Sequence, residues 1–277
     1  MAGILYVVGT PIGNLGDMTP RALETLRAVD FIAAEDTRVT LKLLNKFEIK
    51  KPMESYHEHN LRERGEYLIS RILSGENCAV VSDAGMPCIS DPGEDLVRLA
   101  AEAGIEVRVV PLANAAISAL CVSGLSTSRF CFEGFLSTNR KNRFVHLESL
   151  KNDGHTLIFY EAPHKLLATL QDMLLVWGDR RISVVKELTK IHETVRRTTL
   201  SEAVAYYTEN PPRGEYVLVI EGKQPEMETP MTLEEAVQLA CGLLAEGIKP
   251  SDAAKEAAKQ SGIKKGDIYK CLLEQDQ

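Results

Sequence analysis

Across residues 1–125, short apolar runs alternate with amphipathic stretches of helical length, the pattern of βα units that feed a mainly parallel sheet. The runs predict strands over 4–8, 30–34, 79–82 and 107–110. Thr19 followed by Pro20 reads as an N-cap and a first-turn proline, and Asp91 followed by Pro92 repeats the device ahead of Leu96, Leu99 and Ala100. Gly104 is placed to end that helix, and a helix over 113–124 closes the first domain. A second α/β unit is expected over 130–222, with strands over 156–160, 182–186, 194–198 and 216–221 and helices over 143–151 and 164–176. The run Tyr216-Val217-Leu218-Val219-Ile220 is so uniformly β-forming that it predicts a central strand. Over 222–230 the periodicity stops and two prolines appear, so a linker is expected there. Thr232 and Glu235 then form a capping-box pair, and further helices are expected around 251–260 and 265–273. The divisions predicted are an N-terminal α/β domain over 1–126, a second over 127–222, and a linker with a three-helix extension over 223–277.

Composition supports a globular chain and narrows its chemistry. Apolar residues make up 44% and charged residues 26% of 277, close to the globular average. No apolar run reaches the ~20 residues of a membrane span, and the first residues carry no secretory signature, so a cytoplasmic address and no membrane partner are expected. The six cysteines include no Cys-x-x-Cys pair, which argues for reduced thiols rather than a zinc cage. The net charge of −7 excludes the broad basic field of a stand-alone nucleic-acid binder, so any such contact must use a local patch.

Two loops concentrate the candidate chemistry. Gly9-Thr10-Pro11-Ile12-Gly13 follows the first strand, where α/β sheets place ligand loops, yet its spacing fits neither dinucleotide nor Walker motifs. The stretch 82–93 is dense in small residues, acids and prolines, so a ligand can approach its backbone closely while Asp83 offers a charge. Capping and turn-making account for Asp91 and Pro92 there. His57-Glu58-His59 reads better as a polar strand end facing a cleft than as a metal site, because no third ligand has a recognisable spacing. No metal is expected. The densest basic neighbourhoods of the second unit are Arg140-Lys141-Asn142-Arg143 and the stretch from Lys186 through Arg196 and Arg197. No Gly-x-Ser-x-Gly elbow or catalytic cysteine setting occurs, which disfavours covalent catalysis.

Seven ordered blocks carry a more specific signal: 9–15, Ala34-Glu35-Asp36-Thr37-Arg38, 82–93, Phe132-Glu133-Gly134-Phe135-Leu136, Phe159-Tyr160-Glu161-Ala162-Pro163-His164, Glu187-Leu188-Thr189-Lys190, and 213–221. Together they resemble the tetrapyrrole methylase superfamily and, within it, the branch that methylates small-subunit ribosomal RNA. That branch transfers a methyl group from S-adenosylmethionine to the ribose 2′-oxygen of a cytidine in the decoding region of 16S rRNA. The resemblance implies the α/β, two-domain tetrapyrrole methylase fold (class III S-adenosylmethionine methyltransferase) with a small C-terminal helical extension, the donor in the cleft between domains, and a homodimer. Carried over by position, the donor site comprises Pro11, Asp83, Ala84, Gly85, Met86, Asn114, Ala115, Tyr160 and Gly214. One departure stands out: the turn after Val110 reads Pro111-Leu112-Ala113-Asn114-Ala115, two residues shorter than the pattern of similar members. A smaller one is Ser137-Thr138, where relatives often carry proline and more basic residues.

A ribose hydroxyl attacks well only after losing its proton, so a nearby base or a stabilising cation is required. Lys186 and Glu187 are the first candidates, the alternative for both being a strand-end ion pair or solvated charge. Arg38, Arg140, Lys141, Arg143 and Lys190 are candidates to neutralise RNA phosphates, with His57, His164 and Tyr160 available for ribose or stacking contacts. An assembled small subunit suits an acidic protein better than free RNA. Two other readings stay open: a small-molecule methyltransferase acting on a tetrapyrrole-like compound, and a ribosome-assembly factor without catalysis.

Overall fold

The computed structural model describes residues 1–57, 61–224 and 231–275. The chain divides into two compact units, Met1–Gln224 and Pro225–Gln277.

The first sheet of the larger unit contains β1 (Ile4–Val8), β2 (Phe31–Ala34), β3 (Met53–Ser55), β4 (Cys78–Val81) and β5 (Glu106–Val110), in the order β3-β2-β4-β1-β5 with every pairing parallel. Its middle strands are buried on both faces, as continuous apolar runs demand. On one face α1 (Pro20–Ala28) and α2 (Thr37–Lys46) bring Ala22, Leu26 and Leu44 against Val8, Ile32 and Val81. On the other, α3 (Leu61–Leu73) and α4 (Glu94–Glu102) bring Leu68, Ile72, Leu96 and Ala100 against Leu5, Phe31 and Val80. The neighbours β1 and β4 thus feed helices on opposite faces, which opens a crevice at their C-terminal ends.

Helix α1 starts as expected, with the Thr19 hydroxyl accepting from Ala22 N–H at 3.2 Å and Pro20 in the first turn. Helix α4 does not. It begins at Glu94 with Gly93 as its cap, so Asp91 and Pro92 lie upstream of the helix rather than at its start. The chain reaches that cap through left-handed backbone at Cys88 (φ 72°), Ser90 (φ 64°) and Gly93 (φ 132°), a route that turn and cap preferences do not foreshadow.

The second sheet contains β6 (Phe130–Phe135), β7 (Thr156–Glu161), β8 (Arg181–Lys186), β9 (Thr194–Thr199) and β10 (Tyr216–Ile220), in the order β6-β7-β10-β8-β9. Strand β10 is central, fully buried and antiparallel to both neighbours, while β6 and β7 are parallel. One face is covered by α6 (Arg140–Ser149), α7 (Pro163–Trp177) and α8 (Leu200–Glu209), around Leu147, Phe159, Leu170, Val184 and Leu218. The other face carries α5 (Ala115–Ser123), whose Ala116, Ala119 and Leu120 pack on Ile158, Val185, Val217 and Val219. The sequence reading assigned α5 to the first half, and the structure lays it on the second sheet. Burying such a leucine contributes about 1.5–3 kcal/mol, so α5 is a tie between the halves.

The smaller unit is three helices: α9 (Leu233–Ala245), α10 (Pro250–Ser261) and α11 (Lys265–Gln275). The Thr232–Glu235 capping box is formed, and small residues Ala236, Ala240, Ala254 and Ala257 let the helices close on Ile268 and Leu272. Among the described residues no helix is long and apolar enough to cross a membrane.

Candidate active site

Three loops at the C-terminal end of the first sheet are laced together. Thr10 N–H donates to Gly85 O at 2.8 Å and Gly85 N–H returns a bond to Thr10 O at 3.1 Å, while the buried Thr10 hydroxyl donates to Ser82 O at 3.1 Å. Gly9 has to be glycine: a Cβ there would lie 2.6 Å from Leu112 Cβ and 2.8 Å from Met86 Sδ. The short turn after Val110 closes cleanly, with Leu112 N–H donating to Met86 Sδ at 3.3 Å and Asn114 capping α5 by accepting from Ile117 N–H at 3.1 Å. Beside them Asp83 Oδ1 accepts from Asp36 N–H at 3.1 Å and Asp83 N–H donates to Glu35 at 3.2 Å. Burial raises the Asp83 carboxyl above its ordinary value, while Arg38 hydrogen-bonds Asp36 and holds it down at about 2.

The laced loops form one wall of a cavity of about 330 Å³, in the size range of small-molecule sites. That wall is Ile12, Ala84, Gly85, Met86, Asp91, Asn114 and Ala115, and the second sheet supplies Phe135, Tyr160, Val185, Leu188 and Val217. Tyr160 packs edge-on to Phe132 and Phe135, with ring centres 4.9 and 5.4 Å away, and its oxygen accepts from Ala116 N–H at 3.2 Å. It therefore anchors the start of α5, and burial pushes its phenol upward.

At the cavity's edge Gly214 (φ 86°) lies against Glu187, whose Oε1 would be 2.6 Å from a Cβ at that position. The Glu187 carboxylate accepts from Glu215 N–H at 2.8 Å and from Lys190 Nζ at 3.1 Å, and these bonds hold its pKa below the usual carboxylate value. Lys190 also meets Glu215 at 2.7 Å, and its stem covers Gly13 of the first loop.

The family description Tetrapyrrole (Corrin/Porphyrin) Methylases matches residues 4–204. The chain belongs to the tetrapyrrole methylase family. Residues 232–276 match a second description, the RsmI C-terminal HTH domain. Relatives named ribosomal RNA small subunit methyltransferase I include one from Synechocystis sp., 50% identical over 98% of both chains. Another, from Thermotoga maritima, is 48% identical over 80% of this chain and all of its own length. The solved structure of the methyltransferase CobJ shares the fold at TM-score 0.61, with 17% identity over 80% of this chain and 95% of its own.

Within this methylase fold, Ala84, Gly85, Met86, Asn114, Ala115 and Tyr160 line the cavity. Pro11 and Asp83 line a neighbouring recess with Val39 and Lys42, and Gly214 stands behind Glu187. Lys186 lines another recess. Val185 faces the cavity, so the next residue of β8 faces the opposite side, where Lys186 lines a recess with Arg196, Arg197 and Tyr206. Glu187 accepts both of the bonds described on Oε1, and they make its carboxylate less basic than usual.

The basic residues divide in the same way. Arg143 is 7% exposed, and its guanidinium grips Asp172 at 2.6 Å and donates to Ser137 O at 3.1 Å, which removes it from any surface contact. Arg140 reaches the same Asp172 at 3.0 Å but stays largely exposed. Lys190 has its ammonium held between two carboxylates, whereas Lys141, His164 and Arg38 are exposed. Arg38 lies 2.7 Å from Asp36. His57 follows β3 and is half-buried, and Glu58 and His59 lie outside the described residues. Asp91 is the cavity residue that sequence reasoning spent on a helix cap.

Proposed function

We propose that this methyltransferase moves the methyl group of S-adenosylmethionine to the ribose 2′-oxygen of a cytidine in the decoding region of 16S rRNA, on the small ribosomal subunit. The reading is carried by the 50% identity over 98% of both chains to a relative bearing that rRNA methyltransferase name. The cavity is compatible with the donor. Its walls are mostly apolar, as an adenine ring and a methionine chain require, and small residues at Ala84 and Gly85 let a ligand reach the backbone. Ala84, Gly85, Met86, Asn114, Ala115 and Tyr160 would hold the donor directly, with Pro11, Asp83 and Gly214 shaping the loops around it. When bound, the donor supplies an electrophilic methyl group on a sulfonium. What the chain must add is alignment of the attacking oxygen, exclusion of water and a place for the proton. No metal is called for by that chemistry.

The exposed Arg38, Arg140, Lys141 and His164, with His57, are the groups we assign to RNA. A chain of net charge −7 binds free RNA weakly, which favours a preassembled subunit that offers shape as well as phosphates. A cytoplasmic homodimer belongs to the same reading. Incubation with labelled S-adenosylmethionine tests it, using small subunits or naked rRNA from cells lacking the gene. Label entering subunits well ahead of naked rRNA is expected. Donor binding by calorimetry with no label in either RNA would overturn the reading in favour of a small-molecule methyltransferase or an assembly factor.

A further inference from the structure

The larger unit carries a second recess, of about 580 Å³, on the face of the second sheet that packs against α8. Lys186, Thr194, Arg196, Tyr206, Asn210 and Tyr216 are among its walls. Tyr216, the first residue of β10, lines both this recess and the cavity, so the two adjoin. Their chemistry differs. The cavity is mostly apolar, whereas the recess has three cations, Lys186, Arg196 and Arg197, and no acid among its described lining residues, in a chain of net charge −7.

The strand register sorts those cations. In the β8–β9 ladder Lys186 is opposite Thr194 and Val184 is opposite Arg196, so Lys186 and Arg196 rise from one face as diagonal neighbours, about 7–8 Å apart. Arg197, opposite Ser183, turns to the other face, where its guanidinium donates to Val122 O at 2.6 Å and Ser123 O at 3.2 Å and closes the end of α5. Arg197 therefore has a structural task. Among the described residues Lys186 and Arg196 form no ion pair. The carboxylate that senses Lys186 is Glu187, and it is bonded to Lys190 and to Glu215 N–H.

Aromatic rings complete the recess. The Arg196 guanidinium carbon stands 3.6 Å from the centre of the Tyr206 ring, and the rings of Tyr206, Tyr207 and Tyr216 follow edge-on at 5.0 and 5.9 Å. Stacking on a ring fixes a guanidinium in place without neutralising it, so its N–H donors stay available to an anion. Thr194, Arg196 and Asn210 are exposed, which lets an extended chain lie across them. Unneutralised cations set among aromatic faces are the combination that holds single-stranded nucleic acid, the cations taking phosphates and the π-faces taking bases.

We propose that this recess holds the rRNA strand beside its target nucleotide, with Lys186 and Arg196 neutralising backbone phosphates. This rests on the rRNA reading above and adds a contact to the groups assigned there. A strand whose target ribose enters the cavity passes Tyr216 to reach the recess, so one RNA chain engages both. Lys186 is then a positioning residue, acting on the RNA from the face of β8 opposite the methyl transfer.

Affinity of the full-length protein for small subunits from cells lacking the gene, measured across salt concentrations, tests the assignment. The variants are Lys186→Gln, Arg196→Gln, the double variant and Arg196→Lys. Each glutamine variant is expected to lower the slope of log affinity against log salt by about one, and the double variant by about two. Arg196→Lys keeps the charge and is expected to keep the slope. Donor affinity by calorimetry should stay within about twofold, and the single-turnover rate at saturating subunits within about threefold, because positioning is restored by mass action. Ultraviolet crosslinking of the complex should join RNA to the peptide that carries Tyr206. Unchanged slope and affinity in the double variant overturn the assignment. So does an equal loss in Arg196→Lys, since the stack on Tyr206 and not the charge would then matter. A rate loss at saturating subunits with affinity intact also overturns it, as does a crosslink from that peptide to a ribosomal protein instead of RNA. Should Arg196→Gln fail to fold, Lys186→Gln, which disturbs no stacked ring, decides alone. A wild type that binds donor yet methylates no subunit RNA is a separate result, because it defeats the rRNA reading itself.

Discussion

Arg143 and Lys141 sit two residues apart on α6 and have opposite fates. The Arg143 guanidinium is spent on buried Asp172, and truncating it leaves a buried carboxylate with only the exposed Arg140 as partner. Arg143→Ala is expected to cost about 3 kcal/mol in denaturant unfolding, the scale on which breaking a buried pair is felt. Lys141→Ala should change stability by less than about 0.5 kcal/mol while lowering the slope of log affinity against log salt for subunit binding by about one. Equal stability effects from the two would refute this division. Asp91 offers a second test, in which the sign matters. Its folded-state value is raised to about 6, so the folded protein holds a proton there that the unfolded chain releases near the ordinary carboxylate value. That interaction favours the folded state at low pH and is lost as pH rises through about 6. Asp91→Asn should therefore melt close to wild type at pH 4 and above it at pH 8, and a gap that shrinks with rising pH would contradict the buried-acid environment. From sequence, neither position was legible in this detail. Basic residues in a row look alike until one is buried, and an Asp-Pro pair before a helix reads as a cap unless the backbone's left-handed turns are known.

The loops that build the cavity depend on close approach more than on side-chain chemistry. Gly9→Ala places a methyl group inside contact distance of Leu112 and Met86, so the turn after Val110 must move. A stability loss of about 1–3 kcal/mol is expected, with donor affinity falling at least tenfold by calorimetry. Donor affinity unchanged within twofold would separate those loops from the donor site. The elements carrying these loops were largely legible, because β1, β2, β4 and β5 are apolar runs alternating with helical periodicity, and Tyr216–Ile220 proved central. Strands β3 and β6 went unassigned: one has three residues, and the other is interrupted by a bulge between Phe132 and Gly134. The side of β8 on which Lys186 points was illegible for a related reason. Val184 and Val185 are both buried, since helices cover both faces of that sheet, and the polar–apolar alternation that would fix the phase is absent.

At the scale of the whole molecule, the three-helix unit has its own small core and exposes Lys249, Lys255, Lys259, Lys264, Lys265 and Lys270. The Thermotoga maritima relative spans its full length against 80% of this chain, so a methylase of that name exists at the size of the larger unit. Removing residues 225–277 is expected to leave donor affinity within twofold and to reduce both subunit affinity and its salt slope. Unchanged affinity and slope would make the helices a packing appendage instead. The cleft chemistry and the acidic whole then lead to one decisive measurement. Small subunits from cells lacking the gene are incubated with the protein and labelled S-adenosylmethionine, and the RNA is digested with alkali and mapped. Label in a single alkali-resistant cytidine step of the decoding region is the expected result. Label released with an alkali-sensitive nucleotide, or none in RNA while the donor is bound, would contradict 2′-O-methylation by this chain.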